Sequence, residues 1–297
     1  MKVLITGANG FTGMHLALFL VQKGFEVHAL GRGERRLPWL HRLTYHPVEL
    51  TSVRSLLKIF EQVSPDVVIH TAAMSKPDIC ETHREDCLKN NVEVTRYLLE
   101  ASRYFPVHFI HLSTDFIFGE NGPHREDDTP SPLNFYGESK LLAEKLILQT
   151  ELATSIVRPV FIYGPMLPLG RSSFIQWVQQ KLLTGEKIKV VTDQQRTPTY
   201  VQDLCEAITT ILTFKKTGVY HIAGKDILSP YNMAITVAKV LDLNVELIEP
   251  VTSDTFPEPV RRSKKSGLYI DKAIRELNYT PHHFEDAVRL SFKKDIA

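Results

Sequence analysis

The 297-residue sequence has almost no excess charge and few cysteines. Its 35 basic and 34 acidic residues give a net charge of +1, so it lacks the basic footprint of a nucleic-acid-binding protein. The three cysteines, Cys80, Cys87 and Cys205, are odd in number and form no CxxC pair. This pattern argues against a disulfide framework and against a zinc site. We therefore expect no nucleic-acid partner, no bound metal and a reducing compartment.

Long apolar segments are also lacking. No stretch approaches the roughly 18–20 uninterrupted apolar residues of a membrane helix. The first residues do not show the basic segment and apolar core of a signal peptide, and residues 2–6 already have the pattern of a strand. We expect a cytoplasmic protein that does not insert into a membrane.

Short apolar runs alternate with helix-like segments in the first half of the chain. The predicted strands are residues 2–6, 25–30, 67–70, 107–112 and 155–158. The predicted helices are residues 14–23, 56–63, 91–104 and 139–151. Strands that alternate with helices predict an α/β fold with a doubly wound parallel sheet, covered by helices on both faces.

The pattern changes near residue 164. Residues 164–170 are rich in proline and glycine, and helix-like segments predominate after them. We expect residues 1–164 to form the sheet domain and residues 165–297 to form mainly a smaller C-terminal lobe. A strand near residues 219–222 is expected to return to the sheet and complete it.

A glycine-rich turn with Gly7, Gly10 and Gly13 follows the first predicted strand and precedes the first helix. Glycines at this spacing allow a tight turn and a close approach of the backbone to a pyrophosphate, whose charge a helix N-terminus favours. In this context the turn predicts a Rossmann dinucleotide-binding domain, with Phe11 and Thr12 of the same loop near the cofactor.

The end of the second predicted strand indicates which dinucleotide is bound. It lacks the acidic residue that usually binds the ribose 2′-hydroxyl of NAD, and Arg32 stands there. A guanidinium is suited to binding a 2′-phosphate. The sequence therefore favours NADP(H) as the cofactor.

Three residues have the pattern of a carbonyl-reducing site. Tyr136 and Lys140 are spaced so that both side chains address one pocket from a helix. Tyrosine, with its usual pKa of about 10, is a usable acid, and a nearby lysine cation lowers that pKa toward working pH. Thr114 follows the predicted strand 107–112, at the sheet edge where ligand sites form, and can polarise a carbonyl oxygen. We predict Thr114, Tyr136 and Lys140 as catalytic residues.

These motifs occur in the order found in extended short-chain dehydrogenases/reductases, and the chain resembles that family over nearly its full length. The branch it resembles most is that of the dTDP-4-dehydrorhamnose reductases. The resemblance is carried by the glycine turn, residues 70–73 (HTAA), 91–92, 113–118, 126–134, 136–140, 158–165 and 193–198, Asp203 and residues 261–272.

The resemblance implies that NADPH reduces the 4-keto group of a nucleotide-linked 6-deoxyhexulose. It also implies further cofactor contacts, which are Thr71, Ala72, Ala73, Asn91 and Arg158. The expected substrate contacts are Lys76, Asp115, Phe161, Arg196 and Arg261, of which the last would approach the diphosphate. The resemblance admits a homodimer.

Other functions stay open within this pattern. Dehydratases of the family carry a glutamate directly after the aspartate that corresponds to Asp115, and Phe116 stands there instead, so dehydration lacks its acid/base partner. A nucleotide-sugar epimerase or another carbonyl reductase of the family stays open, and so does a regulatory subunit that binds NADP without turnover. Phe161 replaces a tryptophan that is frequent in this branch, which leaves the sugar open.

Overall fold

The computed structural model describes residues 1–256 and 260–293. Within these residues the strands are β1 (Lys2–Thr6), β2 (Glu26–Gly31), β3 (Leu43–Pro47), β4 (Val67–His70), β5 (His108–Leu112), β6 (Ala153–Arg158), β7 (Ile188–Val191), β8 (Gly218–His221) and β9 (Ile248–Val251). The α-helices are α1 (Phe11–Gln22), α2 (Val53–Val63), α3 (Pro77–Thr82), α4 (Arg84–Leu88), α5 (Val94–Ser102), α6 (Phe135–Leu148), α7 (Phe174–Leu183), α8 (Val201–Thr213), α9 (Pro230–Val240), α10 (Asp271–Leu277) and α11 (Phe284–Phe292). Among these residues, no helix is long and apolar enough to span a membrane.

Seven strands form one parallel sheet in the order β3-β2-β1-β4-β5-β6-β8. This confirms the predicted doubly wound parallel sheet, and β8 lies at the position expected for a strand near residues 219–222. The chain winds outward in one direction from β1 to β3 and in the other from β4 to β8. The C-terminal ends of β1 and β4 therefore border the crevice in which such sheets bind ligands.

Helices cover both faces of the sheet, which explains why its strands are continuous apolar runs. On one face α1 and α8 pack against the strands through buried residues such as Leu20 and Ile208. On the other face α2 and α5 contribute Phe60 and Leu98. Burial on both faces fixes the strand ends, so the loops that follow them have rigid support.

A third apolar cluster forms the smaller lobe. It combines α7, α9 and α11 with a two-stranded parallel sheet of β7 and β9. The residues after 164 divide between the two parts, because α8, β8 and α10 pack with the main sheet. Residues 257–259 and 294–297, which belong to the predicted lobe, lie outside the described residues.

Several segments differ from the prediction. Strand β3 has no counterpart among the predicted strands, because it lies at the sheet edge, ends in Pro47 and buries only Leu43 fully. The helix expected over residues 91–104 is interrupted at its start by a π-helical turn, Lys89–Glu93, and α5 ends at Ser102.

Helix α6 begins earlier than its predicted start at residue 139. Asn134 caps it, since its Oδ1 accepts a hydrogen bond from the Gly137 N–H at 3.0 Å. Tyr136 therefore lies in the first turn of a capped helix, whose N-terminus is fixed.

Candidate active site

The glycine turn between β1 and α1 leaves no room for a side chain at Gly7 or at Gly13. Gly7 has a φ of +72°, and a Cβ there would lie 2.7 Å from the Ala72 nitrogen. A Cβ on Gly13 would collide with the Gly7 carbonyl, to which the Gly10 N–H donates at 2.8 Å. Helix α1 begins at this turn without a side-chain cap, so its first N–H groups are open to a ligand. The turn fits a dinucleotide phosphate.

The loop after β4 lies against the glycine turn. The Thr71 hydroxyl donates to the Thr6 carbonyl oxygen at 2.7 Å, and the Ala72 N–H donates to the Thr6 hydroxyl at 3.3 Å. The loop that carries the predicted cofactor contacts Thr71, Ala72 and Ala73 is therefore held against the turn through Thr71 and Ala72.

Asn91 supports this loop from behind. Its Oδ1 accepts a hydrogen bond from the Met74 N–H at 2.7 Å, and its Nδ2 donates to the Met74 carbonyl at 3.1 Å and to the Ser139 hydroxyl at 2.9 Å. The side chain is 1% exposed. Its amide thus holds the bordering loop to helix α6, and a contact of Asn91 with the cofactor stays a prediction.

Arg32 lies at the end of β2, with its side chain exposed. Asn9 in the glycine turn donates from its Nδ2 to the carbonyls of Arg32, at 3.0 Å, and Glu34, at 2.9 Å. The Tyr45 hydroxyl donates to the Gly33 carbonyl at 3.0 Å. The loop that carries Arg32 is thus tied to the glycine turn, as a contact to the adenosine end of the cofactor requires.

Thr114 and Tyr136 meet beyond the C-terminal end of β5. The Thr114 hydroxyl donates to Asp115 Oδ1 at 3.2 Å and accepts from the Phe116 N–H at 3.3 Å. The Tyr136 ring is 8% exposed and packs edge-on against Phe116, with the ring centroids 5.4 Å apart. Burial raises the pKa of the Tyr136 phenol above its ordinary value, and a hydrogen bond with Thr114 opposes this rise. In this state the phenol holds its proton and can act as an acid.

Lys140 lies one helical turn after Tyr136 and is 2% exposed. Its Nζ is 3.0 Å from His111 Nε2 and donates to the Leu112 carbonyl at 2.8 Å. Burial lowers the pKa of the ammonium to about 8, and the Glu144 carboxylate opposes this fall. The lysine is therefore charged at neutral pH but close to losing its proton.

Arg158 has a buried partner that its predicted role did not include. Its guanidinium binds the Glu144 carboxylate through both oxygens, at 3.0 and 2.6 Å, and the two side chains are 4% and 1% exposed. It also donates to the Glu126 carbonyl at 3.2 Å and lies over the Phe118 ring. These contacts hold the guanidinium within the core, and a contact of Arg158 with the cofactor stays a prediction.

A cleft opens beside Thr114 on the side of the smaller lobe. The residues that line it are Asp115, Phe116, Phe118, Leu133, Asn134, Arg196, Arg262, Ser263 and Ser266. Burial raises the pKa of the Asp115 carboxyl, and the positive charge of Arg196 opposes the rise. The cleft thus offers one carboxylate and two guanidinium groups to a polar, anionic ligand.

Phe161 and Arg196, both predicted as substrate contacts, are neighbours. The Arg196 guanidinium lies 5.5 Å from the centroid of the Phe161 ring. Phe161 has a φ of +40°, in the left-handed region that a residue with a side chain rarely adopts, and its ring packs edge-on against Phe174. Strain of this kind persists where the surroundings hold it, and it clusters at functional sites.

Arg262 lines the cleft, whereas Arg261 lies beside it, and the substrate contact of Arg261 stays a prediction. Arg261 is exposed, lies 3.8 Å from Glu120 and lines an adjoining cavity of about 550 Å³. Arg262 lines the cleft and binds both oxygens of Asp78, at 3.0 and 2.9 Å. Lys76 is exposed at the start of α3, outside the residues that line the cleft.

The N-terminus of α6 is attached to this same segment. Asn134 Nδ2 donates to the Arg261 carbonyl oxygen at 3.0 Å, while its Oδ1 caps the helix. Sequence reasoning missed Asn134, although an asparagine directly before a helical pattern is a recognised N-cap signal. It also missed His111 and Glu144, which no local signal marks.

Two relatives are similar to this chain over most of its length. The spore coat polysaccharide biosynthesis protein SpsK of Bacillus subtilis (strain 168) is 32% identical over 97% of this chain and 95% of its own length. The methionine adenosyltransferase 2 subunit beta of Bos taurus is 30% identical over 84% of this chain and 75% of its own length. The first name is that of a biosynthetic protein and the second that of a subunit.

Two solved structures share the whole fold. A dTDP-4-dehydrorhamnose reductase of Clostridium acetobutylicum is 27% identical, with a TM-score of 0.85 and 97% of each chain covered. A UDP-glucuronic acid 4-epimerase of Bacillus cereus, in complex with UDP-glucuronic acid and NAD, is 25% identical, with a TM-score of 0.84 and 98% of each chain covered.

A match to a family model identifies the family of the chain. The model that describes the RmlD substrate binding domain matches residues 1–296, which include the glycine turn, Thr114, Tyr136, Lys140 and the cleft. The chain therefore belongs to the RmlD substrate binding domain family, within the extended short-chain dehydrogenases/reductases.

Proposed function

We propose that the protein uses NADPH to reduce the 4-keto group of a nucleotide-linked 6-deoxyhexulose. The observation that carries this proposal is the placement of Thr114, Tyr136 and Lys140. They lie between a glycine turn that fits a dinucleotide phosphate and a cleft with Asp115 and Arg196. The reductase and the epimerase among the similar structures support a nicotinamide-dependent enzyme that acts on nucleotide sugars.

The residues that would hold the cofactor are those of the glycine turn, Thr71 to Ala73, and Arg32. When bound, the cofactor supplies a hydride to the carbonyl carbon. Tyr136 donates its proton to the carbonyl oxygen, and the Thr114 hydroxyl donates a hydrogen bond to that oxygen. The Lys140 cation makes the Tyr136 phenolate easier to form, and the phenolate then recovers a proton from water. One hydride and one proton convert the ketone to an alcohol.

The cleft supports a substrate with a sugar and a diphosphate. Asp115 can accept hydrogen bonds from sugar hydroxyls, and the guanidinium of Arg196 is suited to phosphate oxygens. Phe116 packs on Tyr136 where a dehydratase would need an acid, which favours reduction over dehydration. A homodimer and a cytoplasmic location stay predictions.

Two alternatives have support of their own. The similar epimerase structure favours a nucleotide-sugar epimerase, which would return its hydride and consume no NADPH. The similar protein named methionine adenosyltransferase 2 subunit beta supports a subunit role, and the second alternative is a regulatory subunit that binds NADP without turnover. Retention of Tyr136, Thr114 and Lys140 favours an enzyme, because a binding protein has no need of the phenol.

The test of the proposed function is NADPH oxidation with dTDP-4-keto-6-deoxy-L-lyxo-hexulose, followed by the loss of NADPH absorbance. We expect turnover that depends on the keto sugar and is faster with NADPH than with NADH. Tight NADPH binding without oxidation in the presence of this and related keto sugars would contradict the proposal and favour the regulatory subunit. Interconversion of sugar epimers without net NADPH consumption would favour the epimerase.

The choice of NADPH over NADH is expected to depend on Arg32. Replacing Arg32 with alanine should weaken NADPH binding by about 10- to 100-fold, since hydrogen bonds to a charged group contribute about 1.5–3 kcal/mol. Binding of NADH, which lacks the 2′-phosphate, should change little. Both affinities can be measured by fluorescence titration, with Arg103→Ala, another exposed arginine, as the matched control. Equal weakening of both cofactors would contradict the assignment.

A further inference from the structure

The ammonium of Lys140 is buried without an ion pair to a carboxylate among the described residues. Its neighbours in hydrogen-bonding range are the Leu112 carbonyl oxygen and the Nε2 of His111, at 2.8 and 3.0 Å. The nearby carboxylate of Glu144 is bound by Arg158, which neutralises it. A neutral imidazole therefore takes the place that a carboxylate often takes beside a buried lysine.

The imidazole of His111 is fully buried on the strand that ends at the site. Its ring lies 5.1 Å from the ring of His70 on the neighbouring strand β4. His70 cannot replace it as the partner of Lys140, because its two nitrogens contact the hydroxyls of Thr6, at 2.8 Å, and Thr95, at 3.1 Å. Within the described part of the chain, His111 Nδ1 has no hydrogen-bond partner.

We propose that His111 is a positioning residue for Lys140, whose neutral imidazole accepts one ammonium N–H at Nε2 and holds the lysine charged and oriented one turn from Tyr136. Only the expected effect of His111 on turnover rests on the proposed function. The contact itself is independent of the substrate.

The protonation states follow from the distances. An imidazolium 3.0 Å from an ammonium would place two like charges side by side in the core, so the pair carries at most one positive charge. Burial and the Lys140 cation both lower the pKa of His111, in that order, and so favour the neutral ring. If Nε2 accepts from Lys140, the ring proton is on Nδ1, and the tautomer of His111 is fixed.

Other titratable groups also lie near Lys140, and their effect on its pKa is present in the parent protein and in the variants. They are His70 from β4, Cys87 from α4 and Glu144 from its own helix, on which Tyr136 lies one turn before Lys140. None of them is changed by a substitution at position 111. A change in the titration of Lys140 after such a substitution therefore reports the loss of the imidazole.

The experiment is the titration of Lys140 in the ligand-free protein, by NMR of lysine labelled with ¹³C at Cε. The signal is assigned with Lys140→Arg. We expect His111→Leu to lower the pKa of Lys140 by about one unit or more, since a hydrogen bond to the charged form is lost. His111→Gln, which keeps an acceptor, should stay close to the parent protein. His108→Leu is the matched control, because His108 is buried on the same strand but contacts Ser155.

A second measurement does not require that the His111→Leu variant folds. The ring ¹⁵N shifts of the parent protein, with the His111 signals identified by their loss in His111→Gln, should show an unprotonated Nε2 and a protonated Nδ1 at neutral pH. A protonated Nε2, or an unchanged titration of Lys140 in His111→Leu, would overturn the inference.

In turnover, His111→Leu should shift the alkaline limb of the pH profile to lower pH. Absence of turnover in the parent protein would remove the proposed function and leave the Lys140 titration to decide this inference.

Discussion

Replacement of Tyr136 with phenylalanine is expected to lower kcat for NADPH-dependent reduction by about 10²- to 10⁴-fold, the usual contribution of a positioned general acid. The phenol is 8% exposed and lies beside Thr114, so water has poor access to replace it as the proton donor. The substitution removes one hydroxyl and leaves the ring that packs on Phe116. The affinity for NADPH should therefore change much less than kcat.

The matched control for this variant is Tyr104→Phe, which removes a hydroxyl from a tyrosine that is 73% exposed. Both variants should unfold near the temperature of the parent protein, so a loss of activity in Tyr136→Phe alone would report chemistry. Retention of more than about a tenth of the parent kcat would fall outside the range for a general acid and contradict the role given to the phenol.

Replacement of Arg158 with methionine is expected to lower the free energy of unfolding by about 3–5 kcal/mol, because it leaves the Glu144 carboxylate buried without its partner. Glu144 is 1% exposed in the ion pair, and methionine cannot supply the two hydrogen bonds that it loses. Chemical denaturation with a fixed protein concentration measures the change.

The control for this variant is Arg289→Met, which breaks an ion pair with Glu285 between side chains that are both 58% exposed. Exposed pairs contribute about 0.3–0.5 kcal/mol, so this variant should be nearly as stable as the parent protein. The double variant Glu144→Leu, Arg158→Met should recover much of the loss, since the carboxylate left without its partner in Arg158→Met is removed as well. A change below about 1 kcal/mol in Arg158→Met would show that water reaches Glu144 and that the ion pair is not a structural support.

The main sheet could be predicted because its strands are buried on both faces. Each inner strand is then a short apolar run, as in residues 67–70, and the helices between them supply the alternation. Strand β3 breaks this rule since it lies at the edge, and only Leu43 marks it. The small sheet of β7 and β9 was missed for a related reason, because its two strands are far apart in the chain and pair only with each other.

The residues of the candidate site also fall into two groups, those marked by a local sequence pattern and those brought together only by the fold. Gly7, Gly13, Tyr136 and Lys140 could be predicted because their roles follow from spacing within one turn or one helix. The contact of Lys140 with His111 joins residues 29 positions apart, and that of Arg262 with Asp78 joins residues 184 apart. Such contacts depend on how the strands and the lobe are placed.

The double role of Asn134 has a consequence for how substrate range can change. Its Nδ2 binds the main-chain oxygen of residue 261. The segment from residue 260 to residue 267, which carries Arg262 into the cleft, is therefore anchored to helix α6 by a contact that any amino acid can supply. Under the proposed function, substitutions in this segment can change which sugar the cleft accepts while the geometry around Tyr136 stays the same.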